Sequence, residues 1–131
     1  MTAEWAKQYI GIPFAELGRD RETGVDCWGL VRLVYSEQYD TELPSYEYAS
    51  CTERTQNAQI FNTEKETNWS SCIAMVGSVV LLNVATRTCH AGVVVGDERF
   101  IHAEKGVGVV MEHLQSLQWR NRIDGFYNYN D

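Results

Sequence analysis

The stretch Gly24-Val25-Asp26-Cys27-Trp28-Gly29-Leu30-Val31-Arg32-Leu33-Val34-Tyr35 changes abruptly from a loop into a helix. Gly24 interrupts the preceding segment. Asp26 is a residue type that caps helices, because its carboxylate accepts hydrogen bonds from the free N–H groups of the first turn. Apolar residues then recur at helical spacing, and such a helix is expected at the centre of a domain. They are Leu30, Val31, Val34 and Tyr35, with Leu33 adding a second apolar face.

Cys27 falls in the first turn of this predicted helix. Free N–H groups and the positive end of the helix dipole lower the pKa of a thiol there. A thiol with a lowered pKa is a nucleophile at neutral pH. The simpler interpretation is a small buried hydrophobic residue, which is the usual role of a free cysteine. A histidine placed to act as a base would favour catalysis.

Composition limits the class of protein. A chain of 131 residues with 44% hydrophobic residues fits one domain with its own core, residues 1–131. The net charge of −7 argues against binding to nucleic acid or to an anionic membrane surface, since both need basic patches. The sequence has no signal peptide and no apolar run long enough to span a bilayer. We therefore expect synthesis in the cytoplasm, with export only through a partner.

Four cysteines are present, Cys27, Cys51, Cys72 and Cys89. Their spacing does not match a zinc site, and without a secretion signal we expect reduced thiols. A Cys51–Cys72 disulfide stays open if the protein works outside the cell.

Helices are predicted in the first half of the chain and strands in the second half. Residues 2–10 predict an amphipathic helix that Thr2 could cap, and a charged loop at 15–25 leads to Cys27. A surface insertion is predicted near 47–72, with a helix at 50–68. This order predicts an α+β fold, with helices packed on one face of an antiparallel sheet. The strands are predicted at 76–84, 90–95, 99–104, 108–112 and 123–129.

Two of the three histidines fall on one predicted hairpin. His90 begins its first strand and His102 lies near the end of its second. A histidine base beside a nucleophile, held in one tautomer by a second polar group, is the logic of a catalytic triad. His113 lies in a polar connection and is interpreted as a surface residue.

The triad requires both side chains on one face of the sheet, and a register shift of one residue would separate them. A three-residue turn at 96–98 would pair Val95 with Arg99 and set His102 opposite Gly92. The sequence therefore predicts an odd-length turn, and Gly92 as the residue that leaves room for the two rings.

Three motifs, in this order and spacing, resemble the NlpC-type cell-wall peptidases, which are small papain-like cysteine enzymes. They are Asp26-Cys27-Trp28-Gly29-Leu30-Val31, His90-Ala91-Gly92-Val93 and Phe100-Ile101-His102-Ala103. The opening of the chain looks like the branch found among bacteriophage tail proteins. That opening comprises Trp5-Ala6, Tyr9-Ile10-Gly11-Ile12-Pro13-Phe14, Gly18-Arg19-Asp20 and Leu43-Pro44-Ser45-Tyr46.

The resemblance implies that Cys27 is the nucleophile, His90 the base and His102 the third polar residue. It implies cleavage of a peptidoglycan stem peptide at the γ-D-glutamyl–diamino acid bond, through a thioester and without a cofactor. Two positions depart from the family pattern. Gly77-Ser78 stands where many members have Gly-Asp, and Glu16 stands where many have a tyrosine before the cysteine.

We expect a substrate groove beside the nucleophile and no metal site. Trp28, Glu16, Arg19, Tyr46 and Tyr48 are the candidate groove residues, and core packing is the alternative role for the aromatic ones. The expected partners are a peptidoglycan peptide and phage tail proteins. Two other functions stay open: a structural tail component without catalysis, and an acyltransferase or deamidase that uses the same thioester chemistry.

Overall fold

A computed structural model describes residues 1–44, 68–84 and 87–130, without the side chains of 87–89. It confirms the α+β class, because one α-helix packs against an antiparallel sheet within these residues. A short 3-10 helix spans Glu4–Gln8, and the α-helix, α1, spans Cys27–Tyr39. The strands are β1 (Arg19–Asp20), β2 (Gly24–Val25), β3 (Trp69–Cys72), β4 (Val79–Val84), β5 (Arg87–Gly96), β6 (Arg99–Glu104), β7 (Gly108–His113) and β8 (Ile123–Tyr129).

The main sheet has six strands in the order β3-β8-β4-β5-β6-β7, and every pair is antiparallel. The consecutive strands β4 to β7 form a meander, as predicted. β8 returns to pair with β4, and β3 is added outside β8. β1 and β2 form a separate two-stranded ribbon inside the charged loop that precedes α1.

Side-chain alternation along the strands builds a core on each face of the sheet. One cluster holds the apolar face of α1, with Leu30, Val31 and Val34 against Val93 and Ile101. A second cluster covers the opposite face and includes Val80, Leu82, Val94, Phe100, Leu114 and Trp119. The segment after β7 therefore supplies the cover for the face that α1 leaves open.

The β5–β6 hairpin has the predicted register but not the predicted turn. Val93 pairs with Ile101 and Val94 with Phe100, which sets His102 across from Gly92. The loop contains only Asp97 and Glu98, both at positive φ, as in the two-residue turns that match strand twist. A bulge between Val94 and Gly96 inserts one residue and restores the register that a two-residue loop alone would have shifted.

The N-terminal segment is a short 3-10 helix and not the predicted helix over 2–10. Ala3, not Thr2, occupies the N-cap, and no side chain caps it. Backbone hydrogen bonds tie both ends of the segment to the sheet: Ala3 N–H donates to Val95 O, and Gly11 N–H donates to Val109 O. The two anchors hold the segment against β5 and β7 at positions 3 and 11, so the helix lies between them.

Two features differ from the strand and helix predictions. β3 was not predicted, because the sequence Trp69-Ser70-Ser71-Cys72 carries little apolar signal; it pairs with β8 at the edge of the sheet. The first predicted strand, 76–84, begins only at Val79, because Met75 O accepts from Ser78 N–H in a turn that includes Gly77 at positive φ.

The predicted helix at 50–68 and most of the insertion lie outside the described residues. None of the described helices is long and apolar enough to cross a membrane.

Gly29 lets the loop before α1 pass directly over the helix. A Cβ at position 29 would lie 2.0 Å from Gly18 O and 3.2 Å from a guanidinium nitrogen of Arg19. Gly18 is itself enclosed, since its Cβ would lie 2.3 Å from Gly24 O. The loop and the first turn of the helix therefore form one closely packed unit that places Cys27.

We expect Gly29→Ala to destabilise the protein by about 1–3 kcal/mol, because the added methyl group overpacks against the loop backbone. Helix propensity alone would predict the opposite sign, a gain of about 1 kcal/mol. Urea denaturation measures the difference. Ser36→Ala, farther along the same helix, is the matched control for propensity without a clash. A Gly29→Ala protein as stable as the wild type would contradict this packing.

Candidate active site

Asp26 fixes the start of α1 and the loop in front of it. One carboxylate oxygen accepts from Gly29 N–H at 2.8 Å and from Arg19 Nη1 at 2.7 Å, and the other accepts from Leu17 N–H at 2.9 Å. Asp26 is fully buried. Burial raises the pKa of the carboxyl group, and the donors from Gly29, Arg19 and Leu17 oppose that rise. The predicted N-cap is confirmed, with Arg19 as its ion-pair partner.

Cys27 is the first residue of α1 and is fully buried. Its cluster also contains Ala91 and Ala103, the immediate neighbours of His90 and His102 in sequence. A first-turn backbone N–H has no acceptor within its own helix, so Cys27 lies in the turn that carries the free N–H groups and the positive end of the dipole. Cys72 is also a free thiol, and Cys51, with which the sequence left a disulfide open, lies outside the described residues.

His90 and His102 form the central polar pair of the sheet. His90 Nε2 and His102 Nδ1 are 2.8 Å apart, and the rings meet edge to face. The two histidines lie on one face, as the triad interpretation required. The predicted role of Gly92 also fits, because a Cβ there would lie 2.7 Å from Ile101 O and 3.3 Å from His102 Cβ.

Glu112 and Trp119 hold the far side of His102, and the sequence interpretation missed both. His102 Nε2 and Glu112 Oε2 are 3.1 Å apart, and Trp119 Nε1–H donates to the same oxygen at 3.1 Å. Glu112 lies on β7 and pairs with Phe100 on β6, while His102 pairs with Val110. Glu112 is therefore the diagonal cross-strand neighbour of His102 on the same face of the sheet. The strand pairing could have revealed Glu112. Trp119 lies in an irregular segment that no sequence periodicity indicates.

Burial keeps both histidines unprotonated. It lowers the pKa of His90 to about 3, and the neighbouring His102 adds to the shift. Burial also lowers the pKa of His102, whereas the hydrogen bond and charge of Glu112 and the charge of Glu104 act in the opposite direction. At neutral pH the pair is therefore uncharged, and His90 has a lone pair that can accept a proton.

A cavity of about 280 Å³ opens at the end of the sheet where the two histidines lie. Phe14 and Ala103 line it from the α1 side, and His102 and Trp119 line it from the opposite side. His90, Glu104, Lys105, Gln118, Arg122 and Val84 complete the described lining. Cys27 is absent from these described lining residues. Ala91, which shares a core cluster with Cys27, follows His90 in β5, so the side chains of His90 and Ala91 point to opposite faces of the sheet. A contact between the thiol and His90 therefore stays a prediction.

The candidate groove residues have different environments. Trp28 is 2% exposed, donates from Nε1 to Pro44 O at 2.8 Å and packs edge to face on Trp69, so it packs in the core, and its contact with substrate stays a prediction. Nη1 of Arg19 is bound to Asp26 and Gly18 O, which gives this residue a structural role in the loop. Glu16 is exposed beside this loop. Tyr46 and Tyr48 lie outside the described residues.

One group in the described part of the chain could offer several ligands to a metal ion. His102, Glu104 and Glu112 present ligand atoms that lie within 4.8 Å of one another. Both ring nitrogens of His102 are already within hydrogen-bond distance of His90 or Glu112. A metal at this point would have to replace the bond to Glu112, and the absence of a metal requirement stays a prediction.

Comparison with known proteins gives one family. The model of the NlpC/P60 family matches residues 11–128. The murein DD-endopeptidase MepS/murein LD-carboxypeptidase of Escherichia coli K12 is 26% identical over 108 residues, which cover 82% of this chain and 51% of that protein. The gamma-DL-glutamyl hydrolase of Bacillus subtilis 168 is 27% identical over 128 residues, 96% of this chain and 28% of that protein. The chain thus spans about half of the first relative and less of the second.

Solved structures give the same fold. An NLP/P60-family protein similar to a lipoprotein, from Staphylococcus aureus Mu50, superposes with a TM-score of 0.67 at 21% identity, covering 95% of this chain and 38% of that one. The NlpC/p60 domain of the peptidoglycan hydrolase SagA superposes with a TM-score of 0.60 at 22% identity, covering 93% and 90%. These similarities confirm the NlpC-type fold that the motifs implied.

The neutral, half-buried His90 makes stability depend on pH. Its folded pKa of about 3 lies below the ordinary value of 6.5, so the unfolded chain binds an extra proton between these values. The contribution of His90 to the free energy of unfolding is therefore fully present above pH 6.5 and is lost as the pH falls toward 3. We expect the free energy of unfolding to fall by about 2 kcal/mol between pH 7 and pH 5, at about 1.4 kcal/mol per pH unit below pH 6.5.

Urea denaturation at pH 7, 6 and 5 measures this loss. His90→Gln is expected to flatten the pH dependence, and His113→Gln, which changes the exposed third histidine, is the matched control. Equal slopes in the wild type and in His90→Gln would contradict a folded-state His90 whose pKa is lowered.

Proposed function

Because this chain belongs to the NlpC/P60 family, we propose that it is a cysteine peptidase that hydrolyses amide bonds in peptidoglycan stem peptides. The activities of two relatives support the substrate class: one is a murein endopeptidase and carboxypeptidase, and the other is a gamma-DL-glutamyl hydrolase. The second name also supports the finer proposal that the bond cleaved follows γ-D-glutamate and precedes the diamino acid.

The observation that carries the proposal is the 2.8 Å contact between His90 Nε2 and His102 Nδ1. This contact occupies one nitrogen of His90 and leaves Nδ1 for the thiol. A base held in one orientation by a second polar group is what an activated cysteine requires. The start of α1 supplies the other requirement, a thiol at the positive end of a helix dipole.

The proposed reaction proceeds in two steps. His90 Nδ1 takes the proton of the Cys27 thiol as sulfur attacks the amide carbonyl carbon. The oxyanion is stabilised by the backbone N–H of Cys27. The C–N bond then breaks, the leaving amine takes the proton from His90, and a thioester remains. Water, deprotonated by His90, attacks the thioester, and the acid product leaves as the thiol regains its proton.

The cavity beside the histidines suits a charged peptide. Lys105 and Arg122 are exposed at its rim and could pair with substrate carboxylates, and the Arg122 guanidinium lies 5.8 Å from the Trp119 ring centroid. Glu104 lines the same cavity and could pair with an amino group of the diamino acid. Both charges of a stem peptide thus have counterparts within the described lining.

We expect Cys27→Ala to abolish cleavage and His90→Ala to lower kcat/KM by about 10²–10⁴-fold, the usual scale for loss of a general base. His102→Ala should lose less, because it orients the base and transfers no proton to substrate. Digestion of purified peptidoglycan, with fragments identified by mass spectrometry, measures both rate and bond. Cys72→Ala, which removes the free thiol on edge strand β3, is the matched control.

Full activity in Cys27→Ala would contradict the proposal. Fragments ending in a new free carboxyl group at glutamate would identify hydrolysis at the proposed bond, whereas products joined to an added amine would identify the acyltransferase alternative.

We also propose that the chain works in a bacteriophage tail and reaches the cell wall as part of the particle. The support is the likeness of its opening segment to that branch, including Trp5-Ala6 and Gly18-Arg19-Asp20. An epitope-tagged chain, expressed from its own locus, should be detected at the tail by immunogold electron microscopy of purified particles. Purified particles without the tagged chain would contradict this location.

A further inference from the structure

We propose that Glu112 is a positioning residue that sets the proton positions of the whole histidine pair. This inference rests on the proposed function of Cys27 and His90. In it, the carboxylate fixes the tautomer of His102, and His102 in turn fixes the tautomer of His90. Glu112 itself touches neither the thiol nor the substrate.

The argument begins with what a carboxylate can do. Glu112 Oε2 lies 3.1 Å from His102 Nε2 and 3.1 Å from Trp119 Nε1. An ionised carboxylate only accepts hydrogen bonds, and the indole N–H only donates. His102 must therefore carry its proton on Nε2, as a second donor to this oxygen.

The tautomer of His102 then determines that of His90. A neutral imidazole with its proton on Nε2 has its lone pair on Nδ1. That lone pair faces His90 Nε2 at 2.8 Å, so His90 must donate from Nε2. The lone pair of His90 is thereby placed on Nδ1, the nitrogen that the proposed reaction assigns to the thiol proton. Without Glu112, the pair could equally adopt the opposite proton order, which would leave a proton on that nitrogen.

Burial and charge around the pair support this role. His102 is fully buried, and the side chain of Glu112 is 24% exposed, so the carboxylate keeps contact with solvent while it binds a buried ring. When His90 takes the thiol proton it becomes positive, and the negative charge of Glu112 lies on the far side of His102. The other charged groups around the pair are Glu104 on β6 and Lys105 and Arg122 at the cavity rim.

Two variants separate positioning from packing. Glu112→Ala removes the acceptor and should lower kcat/KM by about 10²-fold, in the lower range for a lost acid–base function. Trp119→Phe keeps an aromatic ring and removes only the indole donor, so it should change kcat/KM less than about threefold, roughly the net worth of one hydrogen bond or below. If Glu112 served only to hold Trp119, the two variants would lose activity equally. Glu98→Gln, an exposed glutamate at the β5–β6 turn, is the control for loss of charge.

Nitrogen-15 NMR of the imidazole rings gives a readout that does not depend on activity. In Cys27→Ala protein at pH 7, we expect both His102 and His90 to carry their protons on Nε2. In Cys27→Ala/Glu112→Ala protein, both rings should show mixed or reversed tautomers. A His102 proton on Nδ1 in the presence of Glu112, or identical tautomers with and without it, would overturn the inference. The expected tautomers in a wild-type protein that cleaves no peptidoglycan would instead uphold the inference and refute the proposed function.

Discussion

The hydrogen bond between His90 and His102 can form in only one register of the β5–β6 hairpin. A shift by one residue would turn one ring to the opposite face of the sheet. The two-residue loop Asp97-Glu98 would by itself produce that shift, and the bulge between Val94 and Gly96 cancels it. The proposed proton order therefore depends on a backbone irregularity at the other end of the strand. The hydrogen bond also depends on Gly92 in β5, because a side chain at this position would meet Ile101 O.

A buried carboxylate, that of Asp26, has the corresponding role on the nucleophile's side. Its two oxygens join the first turn of α1 to the loop before it, through Gly29 N–H, Leu17 N–H and Arg19. Gly29 allows that loop to lie against the helix. Asp26 and Glu112 thus act alike: each is an acceptor that fixes the donors around one proposed catalytic residue. Removing a buried acceptor of this kind leaves its donors unsatisfied, which costs about 1–3 kcal/mol for each group.

The sequence predicted the parts of this arrangement that local rules determine. Asp26 as N-cap, Cys27 in the first turn, the strands of the meander and the register of His102 against Gly92 follow from capping chemistry and alternation. Contacts that depend on distant packing were not predicted. Glu112 needed the pairing of β6 with β7, and Trp119 reaches the site from an irregular segment. Trp28 was expected at a groove and is buried against Trp69, since an aromatic residue beside a nucleophile can equally be core. Thr2 was expected to cap a helix over 2–10, and the short helix found there lies between the sheet anchors at Ala3 and Gly11.

The central claim is that Cys27 and His90 act as one chemical pair, and the pH dependence of thiol alkylation tests it most directly. Iodoacetamide labelling, with each cysteine followed by peptide mass spectrometry, would be compared in the wild type and in His90→Ala. Because burial of Cys27 slows alkylation alike at every pH, the midpoint of its rate profile reports ionisation of the thiol. We predict a Cys27 midpoint below the ordinary value of about 8.5 in both proteins, because the helix start lowers it, and slower alkylation of Cys27 at pH 7 in His90→Ala, because no uncharged ring takes the thiol proton as sulfur attacks. Identical Cys27 profiles in the two proteins would contradict the pairing of the thiol with His90.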